Sequence, residues 1–141
     1  MIEVTEEFGF NAGRVWKALE RNGALTEHEL MQETCLRENE VSAAVGWLAR
    51  ENKIRKDGDV YRLDKTNLTV EIGGNAGIIW HMLYDNGELD TDNLSRLTQK
   101  DQKNVFSALG WLAKENKIHL RKKPQLNELS EDSLPQTKHT S

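Results

Sequence analysis

Cysteine is almost missing from this chain. Cys35 is the only one in 141 residues, so no disulfide can form within the chain, and a reducing cytoplasm is the expected setting. Long apolar runs are also missing. No stretch approaches the roughly 20 residues that a membrane helix requires, so no membrane role is expected. Met1 to Glu7 has neither the basic start nor the apolar run of a secretion signal. Cationic charge is not in excess: 19 Lys and Arg stand against 23 Asp and Glu, a net charge of −4. That balance speaks against non-specific coating of nucleic acid, which needs many cations facing phosphate, but it leaves room for a local basic face. His28, His81, His119 and His139 have no metal-ligand spacing with one another or with Cys35, so no metal or other cofactor is expected. What remains is apolar enough for a core, with 37% hydrophobic residues, four Trp and three Phe.

The most informative feature is an internal repeat. Asn11 to Ile54 aligns with Asn75 to Ile118 at an offset of 64 without a gap, and 20 of the 44 positions are identical. Asn11-Ala12-Gly13 meets Asn75-Ala76-Gly77, Gly46-Trp47-Leu48-Ala49 meets Gly110-Trp111-Leu112-Ala113, and Glu51-Asn52-Lys53-Ile54 meets Glu115-Asn116-Lys117-Ile118. The division read from this is one unit over 1–66, a second over 67–123, and a polar tail over 124–141 with the composition of disorder.

Each unit reads as three helices. Asn11 is expected to cap the first, which carries Val15, Trp16 and Leu19 at helical spacing and stops at Asn22-Gly23. Thr26 with Glu29 forms a capping-box pattern that opens a short second helix ending at Thr34. The third spans about Glu38 to Glu51, with Val41, Ala44, Val45 and Leu48 on one stripe. Asp57-Gly58-Asp59 between two short apolar-containing runs is a hairpin signal. In the second unit Asn75, Asp90 or Thr91, and Asp101 are the corresponding caps. There Arg121-Lys122-Lys123-Pro124 replaces the Asp-Gly turn, so that hairpin is reduced or missing. The expected class is mainly α with short β hairpins, arranged as two tandem winged helix-turn-helix units.

Ile72-Gly73-Gly74-Asn75-Ala76-Gly77-Ile78-Ile79-Trp80 and Ala108-Leu109-Gly110-Trp111-Leu112-Ala113-Lys114-Glu115-Asn116-Lys117-Ile118 together resemble a small prokaryotic winged helix-turn-helix family of unknown function. Its typical members are single units, and here both halves match over about residues 3 to 123. The resemblance implies a DNA-binding shape. It brings no activity, ligand or site with it.

Several residues invite a functional reading beside a packing one. The glycines before Asn75 could hold an anion on free helix N–H groups, but close packing of Gly13 and Gly77 is the expectation. Gly46 and Gly110 inside the third helix cost about 1 kcal/mol each relative to Ala, so another backbone or the Trp16 and Trp80 rings are expected close by. Trp47 and Trp111 are expected to cover the core edge or join the units, rather than stack on bases. His81 and Asp85 can touch, as a solvated pair. No nucleophile, cleft or small-molecule substrate is evident, and the chain is not expected to be an enzyme.

DNA contact is expected mainly from the second unit. Helix three there offers Gln102, Lys103, Asn104 and Ser107, with Lys117, Arg121, Lys122 and Lys123 beyond it, whereas the first unit offers Glu38 and Glu40. The alternative is a protein-interaction module that uses helix three or the wing, with Phe106 in place of Ser42 as its anchor.

Overall fold

The structure, a computed structural model, describes residues 4–121. Lys122, Lys123 and the tail assigned to 124–141 lie outside the described residues. The elements run α1 (Val4–Asn22), β1 (Leu25–Thr26), α2 (Glu27–Thr34), α3 (Glu38–Arg50), β2 (Ile54–Asp57) and β3 (Val60–Leu63). A π-helical turn (Thr69–Gly73) leads into α4 (Gly74–Asn86), followed by α5 (Thr91–Thr98) and α6 (Gln102–Lys114).

The duplication is written into the backbone. α2 and α5, and α3 and α6, have bounds that differ by 64 at both ends. Six of the seven described residues with positive φ pair in the same way: Gly23 with Gly87, Cys35 with Gln99, and Asn52 with Asn116. The helix starts follow from short polar side chains. Thr26 Oγ1 accepts from the Glu29 N–H at 3.1 Å while Glu29 Oε1 accepts from the Thr26 N–H at 2.9 Å. Asp90 and Asp101 accept from the N–H groups of Asn93 and Asn104 at 2.7 and 2.9 Å.

Two expectations about the first helices are corrected. Asn11 is not a cap but lies inside α1, which begins seven residues earlier because Phe8 has a core to enter. Asn75 likewise lies inside α4, behind the π-helical turn.

The sheet is antiparallel with order β1-β3-β2. The hairpin turns at Gly58, φ 62°, as the Asp-Gly pattern requires. β1 is a two-residue strand in which Leu25 pairs with Tyr61. Asn67 closes the outer edge of β2: its amide accepts from the Lys56 N–H at 3.0 Å and donates to the Lys56 carbonyl at 2.8 Å, as a neighbouring strand would. Among the described residues the second unit has no strand.

The two cores interlock. One gathers Val15, Leu30, Val41, Leu48 and Ile54, and the other Ile79, Leu94, Val105, Leu109 and Leu112. Phe8 of the first unit is buried in the second core, and Ile72, its counterpart 64 residues on, is buried in the first. Small units bury too little surface to be strongly stable alone, and exchanging apolar residues across the seam enlarges both cores. No helix among the described residues is long and apolar enough to cross a membrane.

Candidate functional site

Helix three of each unit is the element expected to enter DNA, and here the two pack on each other. α3 buries Val41, Ala44, Val45 and Leu48 in its own core, and also buries Ser42, Ala43, Gly46 and Ala49. A Cβ built on Gly46 would lie 1.8 Å from the Ser107 carbonyl oxygen, and one built on Gly110 would lie 1.9 Å from that of Ala43. Gly46 and Gly110 are equivalent positions, and so are Ala43 and Ser107. The contact is therefore reciprocal, as across a two-fold axis. The neighbour expected at these glycines is a backbone carbonyl, not a tryptophan ring.

The tryptophan rings instead lie over two other glycines. A Cβ on Gly9 would meet the Trp47 ring at 3.1 Å, and one on Gly73 would meet Trp111 at 3.2 Å. Gly13 and Gly77, expected to be packed closely, have nothing within 4 Å of such an atom. A second reciprocal set joins the units at this end. The Arg50 guanidinium lies 5.6 Å from the Trp111 ring centre, and the Lys114 ammonium lies 5.6 Å from that of Trp47. Arg50 bonds Glu115 at 2.9 Å, and Lys114 faces Glu51 at 3.6 Å. The repeat pattern alone does not bring these four charges together as a site. Their signal was present, since Glu51 and Glu115 are identical at the offset and Arg50 matches Lys114 in charge.

Among the described residues, those expected to touch DNA do not form one free cationic face. Gln102 donates to Asp92 at 3.3 Å, and Lys103 is paired across the seam with Glu27 at 3.5 Å. Asn104 is half-buried, and it lines a cavity of about 40 Å³ with Ser42, Tyr61 and Ser107. Ser107 is buried, with its hydroxyl donating to the Asn104 carbonyl at 3.2 Å. Lys117 faces Glu115 at 3.6 Å, and Arg121 faces Glu88 at 2.5 Å. Such exposed pairs add little stability, but each carboxylate cancels field that a phosphate would otherwise feel. Phe106, the candidate partner anchor, is half-buried against the second core.

The wing is balanced in the same way. Asp57 accepts from Arg62 at 2.7 Å and from Arg55 at 3.0 Å, and Arg62 also bonds Asp64 at 2.9 Å. The Arg62 hydrogen bond, foremost, holds the Asp57 carboxyl below its usual range. Tyr61 is different. Burial, with added pressure from the Glu27 and Glu71 charges, pushes its phenol up to about 12.

Exposed apolar side chains gather elsewhere. Val70 in the π-helical turn is 89% exposed, and Ile78 and Tyr84 on α4 are 47% and 74% exposed. Gly74, Gly77 and His81 share that face by helical spacing and are also exposed. The equivalent positions on α1 are Glu6, Phe10, Gly13, Arg14, Lys17 and Glu20, a mainly charged surface. Beside the α4 face, Trp80, His81, Trp111, Glu115 and Lys117 line an open groove of about 270 Å³. Among the described residues no cluster of His, Cys, Asp or Glu could hold a metal ion.

A family model described as a winged helix-turn-helix domain of unknown function, DUF2582, matches residues 3–66 and again residues 63–131. No curated protein and no solved structure matches the chain.

Proposed function

We propose that this chain, which belongs to the winged helix-turn-helix domain family DUF2582 through both of its halves, is a non-enzymatic module that binds a protein partner and does not read DNA with helix three. The observation that carries this reading is the burial of α3 and α6 against each other at Gly46 and Gly110. A recognition helix must offer several side chains to base edges. Ser42, Ala43 and Ser107 are buried instead, and Lys103 is held by Glu27. The largest exposed apolar side chains of the second unit, on the π-helical turn and α4, suit a protein surface better than a phosphate backbone.

A second reading keeps DNA as the partner, and the family's winged helix-turn-helix class favours it. Contact would then come from Lys117, Arg121, Lys122 and Lys123, which follow α6 in the chain, with Gln102, Lys103, Asn104 and Ser107 in support.

Anisotropy of a labelled random duplex at low salt separates the two. The protein-partner reading predicts no saturable binding, and no change on Lys103→Glu or Lys117→Glu. Micromolar binding that falls steeply with salt and is lost in both variants would restore the DNA reading.

A further inference from the structure

Among the described residues, four of the five large apolar side chains that stand exposed belong to the second unit: Val70, Ile78, Tyr84 and Leu97. At the offset of 64 each of them replaces an exposed charge, namely Glu6, Arg14, Glu20 and Glu33. The offset holds in this region, since Gly9 and Gly73 both lie under a tryptophan ring and α2 and α5 share their bounds. The same fold thus accepts charge at all four places, so folding does not call for apolar residues there. The four places form one surface. Val70, Ile78 and Tyr84 share the outer face of the π-helical turn and α4. In the first unit Arg14 donates to the Thr34 carbonyl, next to Glu33, so its position faces the end of α2. Ile78 accordingly faces the end of α5, where Leu97 stands. Tyr84 stacks on Trp80, with ring centres 5.3 Å apart and planes 20° apart, so its ring is held in place while the residue stays 74% exposed. A ring already held loses less freedom when a partner covers it.

We infer that this face of the second unit pairs with the same face of a second copy of the chain, about a two-fold axis. The inference rests on the protein-partner reading above and names the partner. Charge selects the occupant. The chain is net acidic at −4, so two copies that meet through a charged face bring like charges together, which is costly. The first unit's face, with Glu6, Arg14, Lys17, Glu20 and Glu33, is of that kind. The same places in the second unit hold Val70, Ile78, His81, Tyr84 and Leu97, with no carboxylate, ammonium or guanidinium among them. They give a charged partner nothing to complement, whereas a second copy brings a matching apolar surface. Isologous two-fold pairing is also the commonest form of self-association, and homodimer interfaces are the more apolar kind.

The test is sedimentation equilibrium of the full-length chain over about 1 μM to 1 mM. The variants are Tyr84→Glu and the double variant Ile78→Arg with Leu97→Glu. Each restores what the first unit carries in the same fold, and urea midpoints confirm that folding is kept. Phe10→Ala, on the first unit's face, is the control. The parent is expected to dimerise within that range. Tyr84→Glu and the double variant should each raise the dissociation constant about ten-fold or more, and Phe10→Ala should match the parent. A parent that stays monomeric throughout, or a dimer that both variants leave unchanged, would overturn the proposal. The duplex titration keeps the two readings apart. A monomeric chain that binds no duplex overturns self-pairing alone, and a monomeric chain that binds duplex with a steep salt dependence overturns both.

Discussion

Gly46→Ala and Gly110→Ala are each expected to destabilise the protein by about 3 kcal/mol or more, the upper range for overpacking a close contact. Helix propensity alone predicts the opposite, a gain of about 1 kcal/mol for replacing a helical glycine. The methyl group decides the sign. It would sit 1.8 Å from the Ser107 carbonyl oxygen in one variant and 1.9 Å from the Ala43 carbonyl oxygen in the other. Both obstacles are helix backbone, which cannot rotate away as a side chain does, so α3 and α6 must separate and loosen both cores. Gly13→Ala and Gly77→Ala supply the control. Those glycines are also helical, with open space around them, and the same substitution should be neutral or stabilising by up to about 1 kcal/mol. Urea midpoints of the four variants read this directly. Similar destabilisation of the first pair follows from the reciprocal geometry, and a large loss in only one of them would contradict it.

The wing supplies the second large effect. Tyr61 keeps its proton in the folded state up to about pH 12, mainly because its ring is buried, whereas the unfolded chain releases it near pH 10. The unfolded state therefore binds fewer protons between those values, and stability falls as pH rises through that window. The contribution is intact below pH 10, and its full loss is about 2–3 kcal/mol. Lysines titrate in the same range, so the quantity to measure is the difference between the parent and Tyr61→Phe. The parent should lose more stability than the variant from pH 9.5 to 12, and parallel curves would contradict the burial of this phenol.

Local chemistry made much of the fold legible. The Thr26/Glu29 box, the Asp90 and Asp101 caps and the Asp57-Gly58 turn act within a few residues of themselves, so their pattern survives in the sequence. The offset of 64 predicted matching helices, and α2/α5 and α3/α6 match at both ends. Less legible was anything that depends on the other unit. The start of α1 rests on Phe8, whose pocket lies in the second core. β1 is two residues long and too short to show alternation.

The candidate site suffered most from this. Ser42, Ala43 and Ser107 look like the small polar face of a recognition helix, and small residues are also what a close helix crossing needs. Gly46 and Gly110 pointed to a close approach, but nothing near them in sequence names the Ser107 or Ala43 carbonyl as the neighbour. Lys103 and Arg121 looked free because Glu27 and Glu88 reach them only in the folded chain.

The most direct test of the reciprocal packing is a proton nuclear Overhauser spectrum of the isotope-labelled chain, repeated after mixing with unlabelled chain. Cross-peaks from the Gly46 Hα protons to Ser107 and from those of Gly110 to Ala43 should both appear, and both should arise within one chain. Absence of the pair alongside strong contacts inside each core, or their appearance only between chains, would contradict the account.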